Sequence, residues 1–132
     1  MSGRSDGAMG WPDVLEGAPE TAEVLVVDDD PEIRDALKRI LSRLGHLVTT
    51  ASSSEEGDNW LKSKRFDAMI LDCELPRMSG PEFLKWALKR DPELAVIMLT
   101  GVDRSEVAVE CIENGARTYL VKPPHPEFFR LA

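Results

Sequence analysis

The sequence has 132 residues, enough for one domain, and 42% of them are hydrophobic, so a packed core is expected. With 16 basic and 24 acidic residues the formal net charge is −8, so we expect no direct binding of nucleic acid or of an anionic membrane surface. The longest apolar run, residues 94–99, is far shorter than the roughly 20 residues that cross a bilayer, and the amino terminus lacks the pattern of a signal peptide. Two cysteines cannot form a disulfide framework or a zinc site by themselves. These features predict a cytoplasmic domain with reduced thiols.

Residues 1–20 differ in composition from the rest of the chain. They are rich in Gly and Pro and show neither a helical nor an alternating apolar pattern. We therefore predict a flexible N-terminal tail over 1–20, with a docking role for Trp11 as the alternative, and one domain over 21–132.

The domain begins with the pattern of a buried strand followed by a helix. Residues 24–27 are a continuous, mostly β-branched apolar run, which is typical of a strand buried on both faces. Asp30 and Pro31 then supply an N-cap and a proline for the first helical position. Apolar residues follow at helical spacing, and Gly45 closes this helix.

The same alternation continues to the end of the chain. Further strands are predicted at 47–50, 68–71, 94–99 and 118–121. Helices are predicted from a possible Ser53/Glu56 capping box to about Lys64, over 81–90, over about 104–114 and over 124–132. Because parallel strands need helical crossovers, the sequence predicts an α/β fold: a doubly wound, five-stranded parallel sheet with helices on both faces. The last helix is short, so we expect that the chain is cut from a longer protein.

Four of the predicted strands end in residues that suit phosphoryl transfer. These residues are Asp28, Asp29 and Asp30 after the first strand, Asp72 after the third, Thr100 ending the fourth, and Lys122 after the fifth. The carboxyl ends of parallel strands meet at one edge of the sheet, where functional residues collect.

Converging carboxylates repel one another, and a hard cation such as Mg²⁺ relieves this repulsion. A lysine and a threonine supply donors for phosphoryl oxygens, and an Asp carboxylate can itself be the nucleophile. Asp30 is better explained as the cap of the following helix. The set therefore predicts Mg²⁺-dependent phosphoryl transfer onto an aspartate.

Four segments carry a resemblance to a known family. They are VLVVDDDPEIR (24–34), FDAMILDCELPRMSG (66–80), VIMLTG (96–101) and GARTYLVKPP (115–124). Together they resemble the receiver domain of two-component response regulators, over about 110 of the 132 residues. The resemblance implies the flavodoxin-like receiver fold and a signalling domain rather than an enzyme in the ordinary sense.

The resemblance also implies a role for each matching position. Asp72 is similar to the phosphorylated aspartate, and Asp29, assisted by Asp28, to the acidic pair that binds Mg²⁺. Glu74 would give its backbone carbonyl to the metal. Thr100 and Lys122 would bind the phosphoryl oxygens. Tyr119 resembles the switch aromatic of the fifth strand, and Lys122-Pro123 resembles a peptide bond that is usually cis in the family.

The partners implied are a sensor histidine kinase or phosphotransfer protein and a C-terminal output domain. A homodimer through the face of the fourth helix, fifth strand and last helix is also implied. Two other functions remain open: a haloacid-dehalogenase-like phosphatase and a binding module that works without phosphorylation. The first would place its nucleophile after the first strand, and the second would normally have lost Asp72, Thr100 or Lys122.

Overall fold

The computed structural model describes residues 20–101 and 104–122, which form one five-stranded sheet with four helices. The strands are β1 (Glu23–Val27), β2 (Leu47–Ala51), β3 (Ala68–Asp72), β4 (Ala95–Thr100) and β5 (Thr118–Val121). The helices are α1 (Pro31–Arg43), α2 (Ser54–Ser63), α3 (Gly80–Arg90) and α4 (Ser105–Glu113). All strand pairs are parallel, and the order across the sheet is β2-β1-β3-β4-β5. The predicted fold is confirmed, with element ends shifted by one or two residues.

Two apolar cores lie on opposite faces of the sheet because successive strand residues point to opposite sides. In β1, Val24 and Val26 belong to the core that contains Leu37 and Leu41 of α1. The other core receives the alternate strand residues, Phe83 of α3 and Cys111 of α4, with Leu61 of α2 packed against it. Burial on both faces explains why the central strands are continuously apolar.

The helix starts mostly follow the predicted caps. The Asp30 carboxylate accepts a hydrogen bond from the backbone N–H of Glu32 at 2.9 Å, as expected of an N-cap. At α2, Ser53 accepts from the N–H of Glu56, but the predicted reciprocal bond is wrong, because the Glu56 carboxylate accepts from Ser52 instead. The complete capping box lies at α3 and was not predicted; it joins Ser79 and Glu82.

Two glycines allow α2 and α3 to approach the sheet closely. A Cβ at Gly80 would overlap the backbone carbonyl of Asp72 and crowd Cys73 Cα, so the first turn of α3 rests directly on the end of β3. A Cβ at Gly57 would lie 3.1 Å from a methyl of Val27 and 3.2 Å from the Phe83 ring. The structure shows that both make room for close packing.

Several predictions lie outside the described residues. These are the tail apart from Glu20, the last helix over 124–132, and the conformation of the Lys122-Pro123 peptide. Within the ranges 20–101 and 104–122, no helix has both the length and the apolar composition needed to cross a lipid bilayer.

Candidate functional site

The ends of β1, β3 and β5 bring two buried carboxylates and one lysine into direct contact. The Lys122 ammonium lies 3.0 Å from Asp72 Oδ2 and 3.2 Å from Asp28 Oδ2. Asp28 is fully buried and Asp72 is 1% exposed, whereas the Lys122 side chain is 22% exposed. The strand order explains the contact, since β3 lies between β1 and β4, and β5 follows β4.

Backbone amides fix the other oxygen of each buried carboxylate. Asp28 Oδ1 accepts a hydrogen bond from the N–H of Asp30 at 2.8 Å, and Asp72 Oδ1 accepts one from the N–H of Glu74 at 3.0 Å. Apart from the Lys122 ammonium, neither Oδ2 atom has a hydrogen-bond partner among the described residues. Each carboxylate is therefore oriented by a backbone N–H at Oδ1, and its Oδ2 lies next to the Lys122 ammonium.

Burial raises the pKa of both carboxyl groups above the usual range. For Asp72 the pKa rises to about 6; burial is the largest cause, and the nearby charge of Asp28 adds to it. The pKa of Asp28 is raised mainly by burial as well. Burial alone would lower the pKa of Lys122, but hydrogen bonding to Asp72 and the charges of both carboxylates raise it above its usual value. At neutral pH Asp72 is therefore ionised in most molecules, which is the form that a nucleophile needs.

Asp29 completes an acidic cluster, whereas Asp30 turns away as a helix cap. One carboxylate oxygen each from Asp28, Asp29 and Asp72 lies within 4.8 Å of the others, and Asp29 is the exposed member. Together with Lys122 these groups leave a formal charge of −2, which one divalent cation balances. The ligands are all hard oxygens, and two of them are buried oxygens with few partners, so the residues present fit Mg²⁺. The cluster can hold a metal ion.

Thr100 is buried at the end of β4, but among the described residues its hydroxyl makes no hydrogen bond to the acidic cluster. Its Oγ1 donates toward the backbone carbonyls of Arg104 at 3.2 Å and Gly101 at 3.3 Å. The carbonyl of Thr100 accepts from the N–H of Lys122 at 2.7 Å, which ties the two strand ends together. The structure thus places Thr100 beside the site with its hydroxyl engaged elsewhere.

The two remaining predicted residues, Glu74 and Tyr119, lie outside the cluster of Asp28, Asp29, Asp72 and Lys122. Glu74 follows Asp72 closely in the loop before α3, and its side chain is half exposed. Tyr119 lies on β5 opposite Met98 of β4, half-buried and packed against the core under α3 and α4. Their predicted roles, metal ligation through the Glu74 carbonyl and switching by Tyr119, stay predictions.

Sequence reasoning missed two arginines that contact the site. One guanidinium nitrogen of Arg34 donates to the backbone carbonyl of Asp28 at 2.7 Å, and Arg104 pairs with Glu74 at 2.9 Å. Arg34 lies one turn into α1, close enough to reach back to the end of β1, and this spacing was the available signal. No pattern in the sequence marks the Glu74–Arg104 pair, because it joins two loops.

Cys73 is next to the acidic cluster but is unsuited to redox chemistry. Burial raises the pKa of its thiol to about 12, so the reactive thiolate is almost absent at neutral pH. Cys111 is also buried, and burial raises its pKa too. Both cysteines are therefore residues of the apolar core rather than reactive thiols.

Comparison with known proteins identifies the class to which this fold and site belong. The family model described as "Response regulator receiver domain" matches residues 24–131. The transcriptional regulatory protein AfsQ1 of Streptomyces coelicolor is 39% identical over 100 residues, which cover 76% of this chain and 44% of that protein. The response regulator MprA of Mycobacterium bovis is 35% identical over 103 residues, covering 78% of this chain and 45% of its own.

A solved structure gives the same result for the fold. The response regulator receiver domain protein from Clostridium thermocellum has a TM-score of 0.76 and 36% identity, covering 81% of this chain and 86% of that one. The chain belongs to the response regulator receiver family. It is a receiver domain of two-component signalling, and it spans less than half the length of the two curated relatives named above.

Proposed function

We propose that this chain is a cytoplasmic phospho-acceptor: Asp72 takes a phosphoryl group, with Mg²⁺ bound, from the phosphohistidine of a sensor kinase or phosphotransfer protein. The observation that carries the proposal is the buried Asp72 carboxylate. The N–H of Glu74 orients it, and it contacts the Lys122 ammonium, which also contacts Asp28. The relatives are regulators rather than enzymes by name, which supports a signalling role.

The reaction needs a nucleophile, a counter-charge and donors for the phosphoryl oxygens. An oxygen of ionised Asp72 forms the new P–O bond while the P–N bond to the donor imidazole breaks, and the leaving imidazole keeps the electron pair and takes a proton. The Lys122 ammonium, 3.0 Å from Asp72 Oδ2, binds one phosphoryl oxygen. Asp28, Asp29, Asp72 and the Glu74 carbonyl would hold Mg²⁺, which supplies charge neutralisation for the phosphoryl group.

Phosphorylation by a small donor tests this assignment. With Mg²⁺ and acetyl phosphate, the intact protein should gain one phosphoryl group by mass spectrometry, and Asp72→Asn should abolish the gain. The matched control is Asp35→Asn, which removes an exposed carboxylate on α1 and should be modified like the wild type. Undiminished modification of Asp72→Asn would assign the nucleophile elsewhere. No modification of the wild type would favour a module that works without phosphorylation.

The response to phosphorylation is proposed to pass through Thr100 and Tyr119. A phosphoryl group on Asp72 would draw the Thr100 hydroxyl away from the Arg104 carbonyl, and the half-buried Tyr119 ring on the neighbouring strand would fill the space it leaves. The surface of α4 and β5 would then differ between the two states. We propose that this surface forms a homodimer or docks a C-terminal output domain.

Beryllofluoride, a phosphoryl mimic, provides the measurement for the switch. With Mg²⁺ it should shift the amide resonances of Thr100, Tyr119 and residues 104–121 well beyond the surroundings of Asp72. Shifts limited to the ends of β1 and β3 would show that this chain receives a phosphoryl group without reporting it.

A further inference from the structure

Arg104 connects two residues of the phosphorylation site from the loop between β4 and α4. Its Nε lies 2.9 Å from Glu74 Oε2, in the loop that follows Asp72. Its backbone carbonyl accepts the Thr100 hydroxyl at 3.2 Å. The same carbonyl accepts the N–H groups of Val107 and Ala108, so it is also the first hydrogen-bond acceptor of α4. Any movement of this residue therefore changes the environment of the Thr100 hydroxyl.

The beginning of α4 is held less firmly than that of the other described helices. A side chain caps each of α1, α2 and α3, whereas among residues 20–101 and 104–122 no side-chain hydrogen bond caps α4 at Arg104. A helix end without a cap is less stable and opens more readily. The ion pair between Arg104 and Glu74 thus links the uncapped first turn of α4 to the loop that follows Asp72.

We propose that Arg104 is a positioning residue for Thr100. Its ion pair with Glu74 holds the first turn of α4 in place, so that the Arg104 carbonyl stays hydrogen-bonded to the Thr100 hydroxyl. The pair thereby opposes binding of a phosphoryl oxygen by that hydroxyl. This inference rests on the proposed function. The pair stabilises the arrangement described here, in which the hydroxyl is turned to the carbonyl. An arrangement with the hydroxyl on a phosphoryl oxygen competes with it, and removal of the pair shifts the balance toward that second arrangement.

The expected size of the effect follows from the exposure of the pair. The Arg104 and Glu74 side chains are 57% and 50% exposed, so water weakens their attraction. Ion pairs of this kind change an equilibrium by about two- to fivefold. The ion pair therefore shifts the balance between the two arrangements of the Thr100 hydroxyl by a small factor.

The affinity for beryllofluoride in the presence of Mg²⁺ measures this balance directly. Arg104→Gln and Glu74→Gln should each bind about threefold more tightly than the wild type. The double variant should bind no more tightly than either single variant, because the same pair can be lost only once. Arg104→Lys keeps the charge and should stay close to the wild type. The matched control is Arg77→Gln, which removes a more exposed ion pair with Glu55 from the loop that also carries Glu74, and it should leave the affinity unchanged.

The outcomes separate this inference from the proposed function. A wild type that does not bind beryllofluoride overturns the proposed function itself. If the wild type binds, unchanged or weaker affinity in Arg104→Gln overturns the inference alone. Weaker binding together with a lower Tm would show that Arg104 merely supports the fold. Single-variant gains that multiply in the double variant would show that the two side chains act independently, which also contradicts the proposed pair.

Discussion

Replacement of Asp72 by Asn should stabilise the metal-free protein at pH 7, although it should abolish phosphorylation. Asp72 is 1% exposed, and burial, together with the charge of Asp28, raises its pKa from 3.8 to about 6. The ionised carboxylate is therefore less favourable in the folded protein than in the unfolded chain, and a neutral isostere removes this cost. A shift of this size corresponds to at most about 3 kcal/mol in the free energy of unfolding. Urea denaturation of both proteins in the presence of EDTA measures it.

The pH dependence has a sign that follows from the same shift. A group with a raised pKa in the folded state binds its proton more tightly there, so its stabilising contribution is complete below pH 3.8. This contribution is lost as the pH rises from about 4 to about 6. The raised pKa of Asp28 acts in the same direction. Over this range the metal-free wild type should therefore lose more stability, or gain less, than Asp72→Asn does.

Two control measurements test whether the stability change comes from the buried Asp72 carboxylate. Asp35→Asn, which removes an exposed carboxylate from α1, should not show the gain in stability at pH 7 that is expected of Asp72→Asn. Mg²⁺ should stabilise the wild type more than Asp72→Asn, because the cation binds the folded cluster. If Asp72→Asn is less stable than the wild type at pH 7 without metal, the ion pair with Lys122 outweighs the cost of burial, contrary to our interpretation.

The second large effect concerns the different roles of Asp29, as a metal ligand, and Asp30, as a helix cap. Asp29→Ala should weaken Mg²⁺ binding by at least about 100-fold, because it removes the exposed carboxylate of the cluster. Asp30→Ala should leave the Mg²⁺ affinity nearly unchanged and cost about 1 kcal/mol of stability, since the Asp30 carboxylate caps α1. Isothermal titration with Mg²⁺ and urea denaturation separate the two effects. Equal loss of metal affinity in both variants would contradict the assignment.

The sequence was sufficient to predict the fold and the gathering of the acidic cluster with Lys122. The strands are short, the central ones are mostly apolar, and helical segments separate them, so their order along the chain limits the topology to a few arrangements. Asp28 and Lys122 directly follow β1 and β5, Asp72 is the last residue of β3, and parallel pairing therefore brings the three to one edge. Local signals and chain order together determined this part of the site.

Contacts between loops could not be predicted in the same way. The Glu74–Arg104 pair and the bond from Arg34 to the Asp28 carbonyl depend on how long, flexible side chains cross the space between elements. The direction of the Thr100 hydroxyl depends on a carbonyl four residues later, at the start of α4. The α2 capping box failed for a related reason: Ser52 offers the Glu56 carboxylate both a backbone and a hydroxyl donor, and these compete with Ser53.

Gly80 packs directly against the Asp72 carbonyl, so the two sides of the proposed phosphorylation site differ in how firmly they are held. On the α3 side, a full capping box and direct backbone contact leave the helix no room to shift without moving β3 itself. On the α4 side, no side chain among the described residues caps the helix at Arg104, and an exposed ion pair links its start to Glu74. If Asp72 is phosphorylated as proposed, the resulting movement would therefore pass more easily toward β4 and β5 than toward α3. A partner that binds α3 would meet the same surface in both states and could recognise only which receiver it has found, whereas a partner on α4 could also detect whether that receiver has been phosphorylated.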